Sequence, residues 1–187
     1  MGLCQVKISG VGTGLLCHSP QGMIGPKTSR KVIPSPEEET KQAAYWNDDK
    51  SEVGFPTWNI HQALVRAASG LKLPSNKKIG LSPIIAGDIE LSPAWVSLGT
   101  KQYLIDSRRV VVQRQSIIRH RPWFPSWSLA FNVHWEESTL GSDFHETILP
   151  ELLTTAGERI GIGDFRPVCK GPFGKFKVES ITLIKTK

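Results

Sequence analysis

Residues 127–135, read Trp-Ser-Leu-Ala-Phe-Asn-Val-His-Trp, alternate without interruption between large apolar side chains and small or polar ones. Successive side chains of a β-strand point to opposite faces, so Trp127, Leu129, Phe131, Val133 and Trp135 share one face and Ser128, Ala130, Asn132 and His134 the other. A chain carrying such a strand must supply a sheet with one covered face and one polar face. What covers it has to come from the segments on either side.

Those segments mix strands and helices without regular βαβ alternation. Residues 5–10 alternate again, with Val6 and Ile8 on one face. Residues 10–36 are rich in Gly, Ser and Pro and read as a long loop, either functional or disordered. A Pro-Glu-Glu-Glu start predicts a helix over 36–46, followed by a turn at 47–50. Thr57 is placed to cap a helix over 58–69, with Ile60, Leu64 and Ala67 or Ala68 on one face and Gly70 as its C-cap. Residues 77–90 predict short interrupted strands, and 108–113 a strand. A helix from about 143 to 157 carries Pro150, which kinks or divides it. The final strand, 175–185, changes its apolar phase between Val178 and Ile181, the mark of a bulge. This order predicts an α+β fold in one domain of 187 residues: an antiparallel ferredoxin-like or RRM-like sheet, helices on one face and inserted loops. A basic hairpin is expected at about 106–126.

The formal net charge of +6 favours an anionic partner, and its distribution is more telling than its size. Residues 107–135 contain no acid, yet hold Arg108, Arg109, Arg114, Arg119 and Arg121 among His120, Trp123, Phe124 and Trp127. Guanidiniums without a local carboxylate must pair at a distance, stay solvated, or meet an external anion, and their planar fork suits phosphate. Aromatic side chains nearby are the other half of a single-strand binding surface. The competing reading is a solvated basic hairpin whose aromatics belong to the core. A second cationic stretch, 159–177, contains one acid, Asp164, among several glycines. There Arg166, Lys170 and Lys175 are candidates for phosphate contacts and Phe173 for base stacking. Gly171 and Gly174 would let the backbone approach a ligand. A plain glycine-rich turn between helix and strand fits the same residues.

Catalytic signatures are sparse. No G-x-S-x-G elbow, H-E-x-x-H or P-loop occurs, and the glycine stretch lies between helix and strand, the reverse of a dinucleotide fingerprint. Three scattered cysteines form no zinc-spaced cluster and fit free thiols in a reducing compartment. No stretch approaches a membrane span or a secretory leader. No metal or other cofactor is expected, and the location expected is cytoplasmic.

Four stretches together resemble small Cas7-like proteins of the RAMP superfamily, including versions from phage and mobile elements. They are Ile8-Ser9-Gly10 followed by residues 15–20; Phe55-Pro56 leading into residues 60–68; Arg119-His120-Arg121-Pro122-Trp123-Phe124-Pro125-Ser126-Trp127; and residues 156–167 with Gly171-Pro172-Phe173-Gly174-Lys175-Phe176. The resemblance implies a modified RRM-like core in a CRISPR-associated backbone subunit that polymerises along a guide RNA. It implies RNA contacts from His61 and Arg66, from the loop bearing Lys27, Arg30 and Lys31, and from the stretch between Arg166 and Lys177. The hairpin between Arg108 and Arg121 corresponds to the thumb or a neighbouring contact. The chain is short for such a subunit, so some insertions are trimmed. Some relatives cut target RNA with a loop Asp, an activity the resemblance does not carry over to a particular Asp of this chain.

The expectation is therefore a non-catalytic subunit whose partners are guide RNA, a target nucleic acid reached through the guide, further copies of itself and other effector subunits, with no membrane. Two alternatives stand beside it. One is a phage or mobile-element single-stranded DNA-binding or annealing protein. The other is a metal-dependent ribonuclease using Asp48, Asp49 or Asp88.

Overall fold

The computed structural model describes residues 1–19, 34–112 and 114–184. In chain order its elements begin with β1 (Gly2–Gly10), β2 (Leu15–Leu16), α1 (Pro36–Ala43), β3 (Val53–Pro56) and α2 (Thr57–Ala67). Next come β4 (Lys72–Leu73), β5 (Asn76–Gly80), α3 (Leu81–Asp88), β6 (Ile89–Ser92) and β7 (Trp95–Thr100). The hairpin β8 (Leu104–Val112) and β9 (Gln115–Phe124) precedes β10 (Ser128–Trp135). Three short helices follow, α4 (Glu137–Leu140), α5 (Phe144–Thr147) and α6 (Leu149–Thr155), and then a π-helical turn, Ala156–Ile160. A 3-10 turn, Pro167–Cys169, and β11 (Phe176–Leu183) complete the set.

The main sheet runs β11-β1-β10-β6, every neighbouring pair antiparallel. Of the helices between β1 and β6, α2 packs into the core with the sheet, and of those between β10 and β11, α6 does. Counting only these elements, the chain is β-α-β-β-α-β with the first and third strands central, the ferredoxin-like arrangement. The alternation predicted from sequence is what seats it. Cys4, Val6 and Ile8 of β1 and Leu129, Phe131, Val133 and Trp135 of β10 are buried. They join Ile60 and Leu64 of α2 and Leu149, Leu152 and Leu153 of α6 in one core. Lys7 pairs with Ser180 and Ile8 with Val178, so Glu179 is left over in β11, and the expected bulge is present.

The open face of the two central strands carries Gln5, Lys7, Ser128, Ala130, Asn132 and His134. An RRM stacks bases on aromatic side chains of its sheet; here that face has no aromatic ring larger than His134, whose Nε2 lies 2.8 Å from Ser92 Oγ.

Three local expectations change. Residues 81–88 are helical rather than extended: Pro83 falls in the first turn, where a missing N–H costs nothing, and Leu81 and Ile85 bury one face. Thr57 is the first residue of α2 rather than its cap, because its side chain is buried and donates to Pro93 O at 2.8 Å. The helix at 36 stops at Ala43, closed at its start by a Ser35–Glu38 capping box. The segment after Asp143 divides at Ile148, just before Pro150, as its proline requires.

Outside the main sheet, β9 pairs with β8 from Gln115 to Trp123 and with β2 at Trp123 and Phe124. The hairpin turn includes Arg114 at a φ of 66°.

Candidate nucleic-acid interface

The glycine-rich stretch closes on itself, on the loop before β2 and on β2. Gly174 N donates to Gly14 O at 2.8 Å, Ile162 N to Gly174 O at 3.0 Å and Asp164 N to Leu16 O at 2.8 Å. A side chain on Gly171 would overlap the carbonyl of Phe165, and one on Gly174 the carbonyl of Ile162. These glycines therefore let two halves of one loop meet, and the expected approach to a ligand is corrected: the space is filled by the protein's own backbone. Phe173 is corrected likewise. It is fully buried, its ring tilted against Phe165 and covered by the Arg108 guanidinium 4.7 Å from the ring centre. It has no face left for a base.

The arginines of the hairpin sort by strand alternation. Arg108, Arg119 and Arg121 face inward. Arg108 Nε donates to Asp106 at 2.7 Å, Arg119 Nη1 to Glu39 of α1 at 3.0 Å, and Arg121 Nε lies 3.0 Å from Asp164 Oδ2. Arg121 is 9% exposed. The acids missing from residues 107–135 are thus supplied by α1, by the glycine loop and by Asp106, just ahead of that span. Arg121 is a buried structural cation, a correction to its place among surface candidates, and Arg108 and Arg119 are largely occupied. Arg109, bonded to Ser116, and Arg114 remain exposed.

Two cations far apart in sequence do converge. Arg66 on the outer side of α2 and Arg166 after the glycine turn line one groove of about 280 Å³ with Trp58, Asn59 and Gln62. Arg166 Nη1 donates to Gly163 O at 2.7 Å, which fixes the guanidinium at the groove wall. Trp58, 56% exposed, also borders a second hollow of about 440 Å³ with Tyr45, Trp46, Asp48 and Trp95. The indoles of Trp46 and Trp95 are held in place by donating to Lys41 O at 2.8 Å and Tyr45 O at 3.2 Å.

Of the remaining candidates, His61 is half-buried on α2 and does not line the groove. Lys170 is exposed at a left-handed φ of 61°, and Lys175 is half-buried beside β11. Lys27, Arg30 and Lys31 lie outside the described residues. Trp58 was missed in the sequence, although a signal existed: it sits off the Ile60–Leu64–Ala67 stripe, so an amphipathic helix must turn it outward.

The carboxylates do not gather. Asp48 lines the aromatic hollow, Asp49 accepts from Ser51 N at 3.0 Å within the turn, and Asp88 ends α3. Among the described residues no group of three or more His, Cys, Asp and Glu is placed to hold a metal ion. No described helix is long and apolar enough to cross a membrane.

His18 is partly buried, and its Nδ1 has no hydrogen-bond partner among the described residues. Burial lowers its pKa below the ordinary 6.5, against the pull of Asp164. The folded state therefore binds fewer protons than the unfolded state, and stability is lost as pH falls below about 6.5. A His18→Gln variant should show a flatter melting temperature between pH 7 and pH 5 than the unaltered protein; parallel profiles would refute this assignment.

No protein-family model matches the chain, and no curated protein matches it. Among solved structures, it is similar to a chain in the cryo-EM structure of the type III-B Cmr-beta bound to cognate target RNA. The TM-score is 0.57 at 14% identity, over 98% of this chain and 61% of that one. The likeness is one of fold, and this chain spans about 61% of that neighbour's length.

Proposed function

We propose that the protein is a non-catalytic RNA-binding subunit that lines up, copy beside copy, along a guide RNA in a CRISPR ribonucleoprotein. Other effector subunits complete the particle, and targets are selected by pairing with the guide. The observation that carries this reading is the shared fold with a chain of a complex solved on target RNA. It is supported by the resemblance of four sequence stretches to Cas7-like proteins and by the groove on which Arg66 and Arg166 converge. In this reading the two guanidiniums hold successive phosphates, and sequence is left to the guide, as in other guided effectors. Arg109, Arg114 and Lys170 add exposed charge around the particle's RNA path.

Binding should weaken with salt as counterions are released from the strand, with a slope near 0.7 per phosphate neutralised for single strands. Replacing Arg66 and Arg166 together by Ala should lower affinity for a 20-nucleotide RNA about tenfold and make the log–log salt slope shallower by about 1.4. Fluorescence anisotropy across a salt series reads both. Unchanged affinity and slope would overturn the assignment of the groove. A matched DNA strand binding as tightly as RNA would favour the single-stranded DNA-binding reading, since only an RNA reader uses the 2′-hydroxyl. The non-catalytic assignment is tested by incubating labelled RNA with Mg²⁺ or Mn²⁺: cleavage abolished by Asp48→Asn, Asp49→Asn or Asp88→Asn would overturn it.

A further inference from the structure

The hollow beside the arginine groove is built from rings. Trp46 and Trp95 are fixed by their indole hydrogen bonds, and Tyr45 packs edge-on to Phe55. Trp58 forms the wall common to hollow and groove, and the residue is 56% exposed although it belongs to a helix that buries Ile60 and Leu64. Trp58 is not an isolated surface ring: with Tyr45, Trp46 and Trp95 it makes a contiguous aromatic patch, the kind that marks an interaction site. The hollow, at about 440 Å³, has room for a nucleobase. Among the described residues Asp48 is the one acid of its lining. Its neighbour Asn47 is committed to the turn, donating to Ser51 Oγ at 3.0 Å and accepting from Glu52 N at 3.1 Å.

We infer that the Trp46–Trp58–Trp95 hollow takes one unpaired base of the strand whose phosphates run past Arg66 and Arg166, and that Asp48 makes guanine the preferred base. The inference rests on the RNA-binding reading and adds a base subsite to it. Indole faces stack on any base, which supplies affinity without sequence. Asp48 supplies the discrimination. A carboxylate accepts from adjacent N–H donors, and guanine presents N1–H and N2–H₂ side by side on its Watson–Crick edge. Uracil presents one N–H between two carbonyls, which repel the carboxylate. An aromatic cage with an acid could also hold a methylated ammonium group. Continuity with the arginine groove and the net charge of +6 favour a base on an anionic strand instead.

The test uses the full chain with labelled 12-nucleotide oligouridine and the same strand carrying one guanine, read by anisotropy over a salt series. The guanine strand should bind the unaltered protein more tightly than oligouridine. Trp58→Ala should lose about tenfold in affinity with no change in salt slope, whereas Trp58→Phe keeps most of it. Asp48→Asn should erase the preference for guanine while leaving oligouridine affinity unchanged or raised. The double Arg66→Ala, Arg166→Ala variant should weaken both strands equally. If Trp58→Ala binds like the unaltered protein while the arginine double weakens, the base subsite is overturned and the RNA-binding reading stands. If the unaltered protein binds neither strand, the RNA-binding reading falls and the subsite with it. Binding of a trimethyllysine peptide that Trp58→Ala abolishes, without any guanine preference, would overturn the base as occupant.

Discussion

Asp164→Ala should cost about 3 kcal/mol of folding stability, the lower part of the range for breaking a buried ion pair, because the acid itself is partly reached by water. Arg121 is the reason. Its guanidinium is 9% exposed and lies 3.0 Å from Asp164, so removing the acid leaves a buried positive charge without its partner. The same carboxylate also accepts from Phe165 N at 2.8 Å, which shapes the start of the glycine loop. The double variant Asp164→Ala with Arg121→Met should recover most of the loss, since no charge then remains to be desolvated. Urea denaturation of the two singles and the double closes the cycle. Additive losses in the double would show that the two side chains do not depend on each other.

Gly174→Ala is the second large effect. Gly174 has a φ of 70°, and a side chain there meets the carbonyl of Ile162, to which the backbone is already bonded through Ile162 N. Strain at positive φ and a collision with backbone that cannot rotate away together should cost about 3 kcal/mol or more. For a chain of this size that lowers the melting temperature by roughly 6–12 °C. Gly12 provides the control. It has a φ of 75° but nothing within 4 Å of a new side chain, so Gly12→Ala should lose only about 1–2 kcal/mol. Equal losses at the two sites would mean that crowding against Ile162 plays no part.

The strands were legible wherever one face is buried and the other wet. The alternation at 127–135 gave both the strand and its orientation, and the phase change near Glu179 gave the bulge. The helix at 81–88 was hidden because glycine and proline weigh against helix in a local reading, although Pro83 sits in the one turn that tolerates it. The candidate site was less legible, for a reason specific to charge. Composition shows that Arg119 and Arg121 have no acid nearby in sequence, but Glu39 from far upstream and Asp164 from far downstream reach them in the fold. Phe173 read as an exposed ring because its neighbours are glycines and lysines, whereas long-range packing against Phe165 and Arg108 buries it. Arg66 and Arg166 were legible as cations; that they face one groove depends on where the turn after α6 returns to α2, which no local pattern encodes.

The tie between Gly14 and Gly174 bears on the order in which the molecule can assemble. β1 is flanked in the sheet by β10 and β11, both made long after it. A nascent chain leaving the ribosome must therefore hold β1 with both edges unsatisfied until those strands emerge, exposing a strand bearing Cys4, Val6 and Ile8 to misplaced pairing. The loop that carries Arg166 closes only when residues near 14–16 meet residues near 162–174, so one wall of the groove is among the last parts to form. Most contacts here are non-local, and the groove lined by Arg66 and Arg166 is complete only when the two ends of the chain have met.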